Sequence, residues 1–249
     1  MKPHRVEYWL NAKPDDPEKF AEEVSVVCEL YAQAKELEEK GTHLISTDEK
    51  TGIQALERGA ETLPMRGGQI ERQEYEYIRH GTQSLIANLE VATGKIIEPS
   101  IGESRTEKDF VEHIEKTIER DRGAEWIFIT DQLNTHQSEG LVRLVARECE
   151  IEGELGEKGK SGVLKSKETR AEFLKDERHR IRFVYTPKHA SWLNQIEIWF
   201  SILVRRLLKR GSFRSVEEMR KKILEFIEYF NLTMAKPFKW TYKGRPLVI

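Results

Sequence analysis

With 249 residues the chain has room for one large domain and a substantial buried core, and its longest apolar runs fall well short of the ~20 residues of a membrane span. Met1-Lys2-Pro3-His4-Arg5 opens no signal-peptide core, and the solitary cysteines Cys28 and Cys149 exclude a disulfide framework or zinc cluster, so a soluble, cytoplasmic protein is predicted. The formal net charge of −2 hides an asymmetry: residues 181–249 carry 14 Lys/Arg against 5 Asp/Glu, leaving residues 1–180 at −11. The basic C-terminal third is a candidate for nucleic acid, with ordinary solvated helix faces the alternative.

Asp15, Asp16 and Pro17 signal a helix start, and Phe20, Val24, Val27, Tyr31 and Ala34 recur at helical spacing up to Gly41. Thr42 to Thr47 reads as a short strand running into Asp48, followed by a looser stretch with Pro64, Gly67 and Gly68. Ser84 to Val91 alternates before a Thr93-Gly94 turn and Lys95-Ile96-Ile97, the pattern of a hairpin. Thr106 to Arg120 carries Phe110, Ile114 and Ile118 on one helical face. Glu125 to Thr130 is nearly continuously apolar, as a strand covered on both sides must be, and delivers Asp131 at its end. A helix over about 138–149 follows, then residues 150–180, rich in Glu, Lys and Gly, read as an exposed charged insertion. Ile181 to Tyr185 resumes the sheet, and helices are predicted over about 192–209 and 216–230. The sum is an α/β domain with a mixed sheet, in which residues at strand ends make the site. Residues 1–40 form a linker and amphipathic helix, 41–232 the main domain, and 233–249 a basic and aromatic tail.

A lone Asp after a strand is usually a cap or turn residue, so Asp48 and Asp131 say little individually. Glu197 says more, being the single acid among the large apolar residues of Trp192-Leu193-Asn194-Gln195-Ile196-Glu197-Ile198-Trp199-Phe200. A helix there buries Trp192, Ile196, Trp199, Leu203 and Leu207 as a stripe, with Asn194, Glu197 and Ser201 on a polar line beside it. An acid at the edge of a core needs a cation: Arg205 or Arg206 in an ion pair, or a bound metal. Phosphoryl transfer gives three carboxylates a reason to converge. Hard divalent cations prefer oxygen ligands, and two of them can clamp the attacking and leaving oxygens of an in-line displacement.

Ser46-Thr47-Asp48-Glu49-Lys50, Thr130-Asp131-Gln132-Leu133-Asn134-Thr135-His136, and the block from Tyr185 through Asn194-Gln195-Ile196-Glu197 resemble the three acidic blocks of mariner-type DDE transposases, in particular the bacterial insertion-sequence 630 type. The last block is the most specific. The resemblance runs from about residue 3 to the end and implies an RNase H-like fold with Asp48, Asp131 and Glu197 as catalytic and metal-binding triad, Asp131 bridging two Mg²⁺ ions (Mn²⁺ substituting) and the others flanking. It also implies cleavage at transposon ends, transfer of the 3′-hydroxyl to target DNA at a TA dinucleotide, and a homodimer as candidate assembly. Gln132 stands where the superfamily usually has Asn, Gln195 where it has Pro, and the spacing from Asp131 to Glu197 is lengthened by the insertion. Neither substitution removes a ligand. A plain nuclease of the same fold, or a non-catalytic remnant of a decayed element, are the rivals.

Around these blocks, Arg205, Arg206, Lys209, Arg210 and Arg214 are read as contacts to DNA backbone. Lys236, Lys239, Trp240, Tyr242, Lys243 and Arg245 are read either so or as a tail anchor. His136 reads as structural, with a contact to phosphate or carboxylate at the site as its alternative, and Asn194 as a further supporting residue. Glu49 neighbours Asp48 on an extended chain and so points to the opposite face, away from the metals. Gly159-Lys160-Ser161 mimics the end of a phosphate loop but has Glu154 where that motif needs Gly. Relatives carry helix-turn-helix modules before the catalytic domain, whereas Pro3 to Leu10 stands where a linker belongs. A chain without its recognition domain, truncated or half of a split gene, is therefore expected to bind transposon ends weakly and with little preference.

Overall fold

The structure, a computed structural model, describes residues 16–60, 63–72 and 76–242. The expected features at Pro3 to Leu10, Asp15, Lys243 and Arg245 lie outside them.

Helix α1 (Pro17–Glu39) begins where Asp16 caps the Lys19 amide at 3.0 Å and Pro17 occupies the first turn, where its missing N–H costs nothing. Its buried face includes Val24, Val27, Tyr31 and Ala34, as the spacing predicts. Among the described residues five strands follow: β1 (Thr42–Arg58), β2 (Tyr77–Glu90), β3 (Lys95–Gly102), β4 (Glu125–Thr130) and β5 (Ile181–Tyr185). They form one mixed sheet in the order β3-β2-β1-β4-β5, antiparallel from β1 through β3 and parallel from β1 to β4 to β5. Helices α2 (Glu107–Ile118), α3 (Glu139–Glu148), α4 (Lys167–Lys175), α5 (Ile196–Leu203) and α6 (Val216–Thr233) complete the layers.

Alternation along the strands sorts the core. Ile45, Ile86, Phe128 and Phe183 pack with α2, α3 and α4 on one face. Leu44, Ile127 and Ile129 meet α1 on the other, where Leu85, Ala87 and Leu89 meet α5 and α6. Each central strand is thus apolar on both faces, which is why Trp126 to Ile129 reads as an unbroken hydrophobic run.

Three elements differ from the sequence reading. Strand β1 does not stop at Asp48 but continues to Arg58, because β2 supplies an antiparallel partner through the pair Arg58↔Tyr77. What ends near Asp48 is the parallel partner: the last β1–β4 pair is Ser46↔Ile129. The charged segment 150–180 is not simply an exposed insertion either. Leu164 and Leu174 are fully buried in the core, and Arg170 Nε donates to the Gln137 carbonyl at 2.7 Å, so α4 forms part of one helical layer. Within the segment Lys160 pairs with Glu157 at 2.5 Å, and no strand among the described residues leads into Gly159. The third difference is the helix expected over 192–209. Ser191–Leu193 is a single 3-10 turn, Asn194 is extended, the α-helix runs only from Ile196 to Leu203, and Val204–Leu208 is a π-helical turn. Trp192 is therefore out of phase with the stripe and 47% exposed, against Tyr242, and the π turn leaves Leu207 half-buried, whereas Ile196, Trp199 and Leu203 are fully buried.

On α2, His113 is buried with Nδ1 2.9 Å from Ser100 Oγ and with no partner at Nε2 among the described residues. Burial, aided by the charge of Lys116, lowers its pKa from 6.5 to about 3. Since the unfolded chain takes up a proton that the folded chain refuses, the stability this neutral imidazole permits is intact above pH 6.5 and is lost as pH falls toward 3. Urea unfolding should show His113→Gln losing about 1 kcal/mol less than the parent between about pH 7 and about pH 5.5. Equal losses would mean that His113 is protonated in the fold.

Candidate active site

Where β1 loses its parallel neighbour, two acids are left side by side. Asp48 lies within β1, one edge paired to Ala87 of β2 and the other freed by the end of β4, while Asp131 is the first residue beyond β4. Each carboxylate is held from outside its own strand. Asp48 Oδ1 accepts from the Glu49 amide at 2.8 Å and Oδ2 from Asn194 Nδ2 at 3.2 Å. Asp131 Oδ1 accepts from the Leu133 amide at 3.0 Å and lies 2.7 Å from His136 Nδ1.

Asn194 is the joint between β1 and α5. Its Nδ2 also reaches the Thr47 carbonyl at 3.0 Å, its Oδ1 accepts from Ser46 Oγ, and Ser46 Oγ in turn accepts from the Ile196 amide at 2.9 Å. A strand side chain thus satisfies an orphan donor at the start of α5. Tyr31 of α1 closes the joint from behind, its hydroxyl donating to the Leu193 carbonyl at 2.8 Å and accepting from the Gln195 amide at 3.3 Å. These bonds require Asn194 to be extended, which is why the helix cannot begin at Trp192.

His136 is fully buried, packed 4.2 Å from the Phe110 ring, with Tyr185 OH donating to its carbonyl at 2.8 Å. Its Nε2 lies 3.2 Å from Glu49 Oε1, so one imidazole spans the carboxylates of Asp131 and Glu49. Burial opposes charge on His136, but hydrogen bonds and attraction from Asp131 and Glu49 override it and raise the pKa to about 9. For Asp131 burial alone would raise the pKa; His136, the Leu133 amide and Lys167 together leave it lowered. Asp48 receives too little such compensation. Burial and then the charge of Asp131 push its pKa up to about 7, against the smaller opposing pull of the Glu49 amide and His136.

Glu49 does point away from Asp48, as strand alternation requires, yet it reaches Asp131 through His136. The sequence reading missed this link, together with Ser46, Tyr31 and Lys167, whose Nζ donates to the Gln132 carbonyl at 2.8 Å. The usable signal was Glu49 itself: a buried acid beside another acid must find a cation, and His136 was at hand.

Glu197 is the second residue of α5, three positions after Asn194, and its amide donates to the Asn194 carbonyl at 3.1 Å. That bond, at the first turn of the helix, sets Glu197 beside the joint. Among the described residues, no three His, Cys, Asp or Glu side chains gather closely enough to hold a metal ion. Asp48 and Asp131 are brought together; the Glu197 side chain is not gathered with them. Arg205, Arg206, Lys209 and Arg210 are exposed beyond α5, while Arg214 lies elsewhere, 3.9 Å from Glu57 near the end of β1. In the tail, Trp240 packs 4.9 Å from Tyr31 with Nε1 3.4 Å from Cys28 Sγ, and Tyr242 packs on the α1 side of the core, so these aromatics anchor the tail.

The donor set suits a hard divalent cation. Two carboxylates with oxygen-only chemistry converge, and burial, then the charge of Asp131, disfavours the ionised form of Asp48 where no cation joins them.

No helix among the described residues is long and apolar enough to cross a membrane. No curated protein matches the chain. Among solved structures, the crystal structure of the Mos1 mariner paired end complex with Mn is similar at a TM-score of 0.55 and 14% identity, over 90% of this chain and 59% of that one. The Mos1 transposase paired-end complex with left transposon end gives a TM-score of 0.53 and 14% identity over 90% and 58%. The crystal structure of the catalytic domain of Mos1 mariner transposase gives 0.51 and 12% over 88% and 85%. The chain thus spans 59% of the Mos1 chain in the first complex and most of the catalytic domain alone. At such identities the likeness is one of fold: the mixed five-stranded sheet flanked by helices is the RNase H-like sheet expected from the sequence. A family model for DDE superfamily endonucleases matches residues 43–220, a span that includes Asp48, Asp131 and Glu197, and the chain belongs to that family.

Proposed function

We propose that the chain is the catalytic domain of a DNA transposase of the bacterial insertion-sequence 630 type, acting in the cytoplasm on transposon ends and target DNA. The observation that carries the reading is the convergence of Asp48 and Asp131 where β1 loses β4, each braced by a side chain from a separate segment. Two of the similar Mos1 structures are paired-end complexes, one with Mn and one with the left transposon end, which supports the same classes of ion and substrate here.

Asp48 and Asp131 would hold Mg²⁺ or Mn²⁺, two ions in all, and Glu197, whose side chain the structure does not gather with them, would be the third ligand. Such ions activate a water or sugar hydroxyl for attack on a phosphodiester and stabilise the departing oxygen. The protein's own part is positioning. Asn194 fixes the Asp48 carboxylate against β1, and His136 fixes that of Asp131, so little reorganisation is left for the reaction. Arg205, Arg206, Lys209, Arg210 and Arg214 offer charge to the DNA backbone. A homodimer would bring two ends together.

The test is an assay with Mg²⁺, a duplex bearing a transposon end, and a supercoiled target. Release of a 3′-hydroxyl and its covalent joining to the target is the expected result. Cleavage without joining would make the chain a nuclease of the same fold, and neither reaction in a folded protein would make it a non-catalytic remnant.

A further inference from the structure

Beyond the carboxylates, the most unusual piece of backbone is the π-helical turn Val204–Leu208 that continues α5. Its hydrogen bond runs from the Lys209 amide to the Val204 carbonyl, five residues back, at 2.8 Å. Such turns are rare and cost hydrogen-bond geometry, so one kept in the middle of a basic segment needs a return. The widened turn brings Arg205 and Arg206 onto one cavity wall with Arg210. The cavity is about 540 Å³, lined by Ile202, Arg205, Arg206, Arg210 and Met234.

Three arginines line this space, and no carboxylate does. Arg205 Nε donates to the Ser201 carbonyl at 3.1 Å, but none of the three makes an ion pair among the described residues. By contrast, Lys221 and Lys222 on α6 both pair with Glu225. Three like charges around one concavity repel each other until an anion enters, and planar guanidinium forks suit the oxygens of a phosphate.

We infer that the cavity between α5, its π turn and the end of α6 is a seat for one backbone phosphate of the DNA strand, separate from the phosphate being cut. The inference rests on the proposed transposase reading, which supplies the strand. Glu197 and Arg206 lie about nine residues apart on one helical segment, and at ~1.5 Å per residue that is ~14 Å along the axis. With ~3.4 Å of duplex axis per phosphate of one strand, a strand that runs along this helix places the seated phosphate up to about four nucleotides from the scissile one. The pocket then fixes how far the strand can slide past the carboxylates.

Duplex binding is measured against salt concentration for the parent, for Arg205→Ala with Arg206→Ala, and for Lys221→Ala with Lys222→Ala. All four positions are exposed, so the folds should match, and thermal melts check this. The arginine variant is expected to lower the slope of log affinity against log salt by about 0.9, the value for one phosphate contact, while the lysine variant, losing the same charge, leaves it unchanged. A methylphosphonate scanned over about one to five nucleotides from the cut should weaken parent binding at one position and leave the arginine variant unaffected there. Equal slope losses in both variants, or none in the arginine variant, would overturn the pocket while leaving the DNA reading in place. A parent chain that shows no salt-dependent binding at all would remove both.

Discussion

Replacing Asp131 by Asn is expected to abolish Mg²⁺- or Mn²⁺-dependent strand cleavage, by at least about 10³-fold, with the fold retained. The amide keeps the shape and one oxygen, so the Leu133 amide and His136 still find an acceptor, and the buried Phe110–His136 contact survives. What is lost is the charge that binds the cation, which supplies several kcal/mol of transition-state stabilisation. The readout is cleavage of an end-labelled duplex, with circular dichroism to establish folding. A folded Asn variant that cuts as fast as the parent would sink the assignment of this site.

The second expectation sets two glutamates against each other. Glu197→Gln should be as damaging as Asp131→Asn, whereas Glu49→Gln should slow cleavage only about 10–100-fold, the usual cost of losing a group that orients a ligand. Glu49 is a positioning residue: it acts on Asp131 through His136, the Glu49 and His136 side chains being 2% and 0% exposed. Its loss should therefore raise the Mn²⁺ concentration needed for half-maximal cleavage, and added Mn²⁺ should recover most of the rate. A merely structural Glu49 would lower the melting temperature and leave that metal requirement alone. The result for Glu197 matters because its side chain is not gathered with Asp48 and Asp131. Near-parent activity in Glu197→Gln would show that Asp48 and Asp131 work with a different third ligand.

Much of this molecule is decided by local pattern. Trp126 to Ile129 must be covered on both faces, so β4 and its exit at Asp131 follow from the run itself, as does β5 from Ile181 to Tyr185. The face of α1, the capping of its first turn, and the β2–β3 hairpin at Thr93-Gly94 are equally local, because helix and strand periodicities are properties of neighbouring residues. The three acidic blocks, and through them the family, were likewise legible in the chain. Tertiary structure decided the rest. The length of β1 depends on what β2 offers it across a long connection, and the burial of Leu164 and Leu174 depends on a core surface that no property of the charged segment announces. Asn194 leaves the helical conformation because Ser46, Thr47 and Asp48, nearly 150 positions earlier, claim its side chain. The link from Glu49 through His136 to Asp131 joins residues 87 positions apart in the chain. The physical reason is the same in each case: a buried polar or charged group takes whichever partner the packed fold brings within reach, and sequence spacing records the group but not that partner.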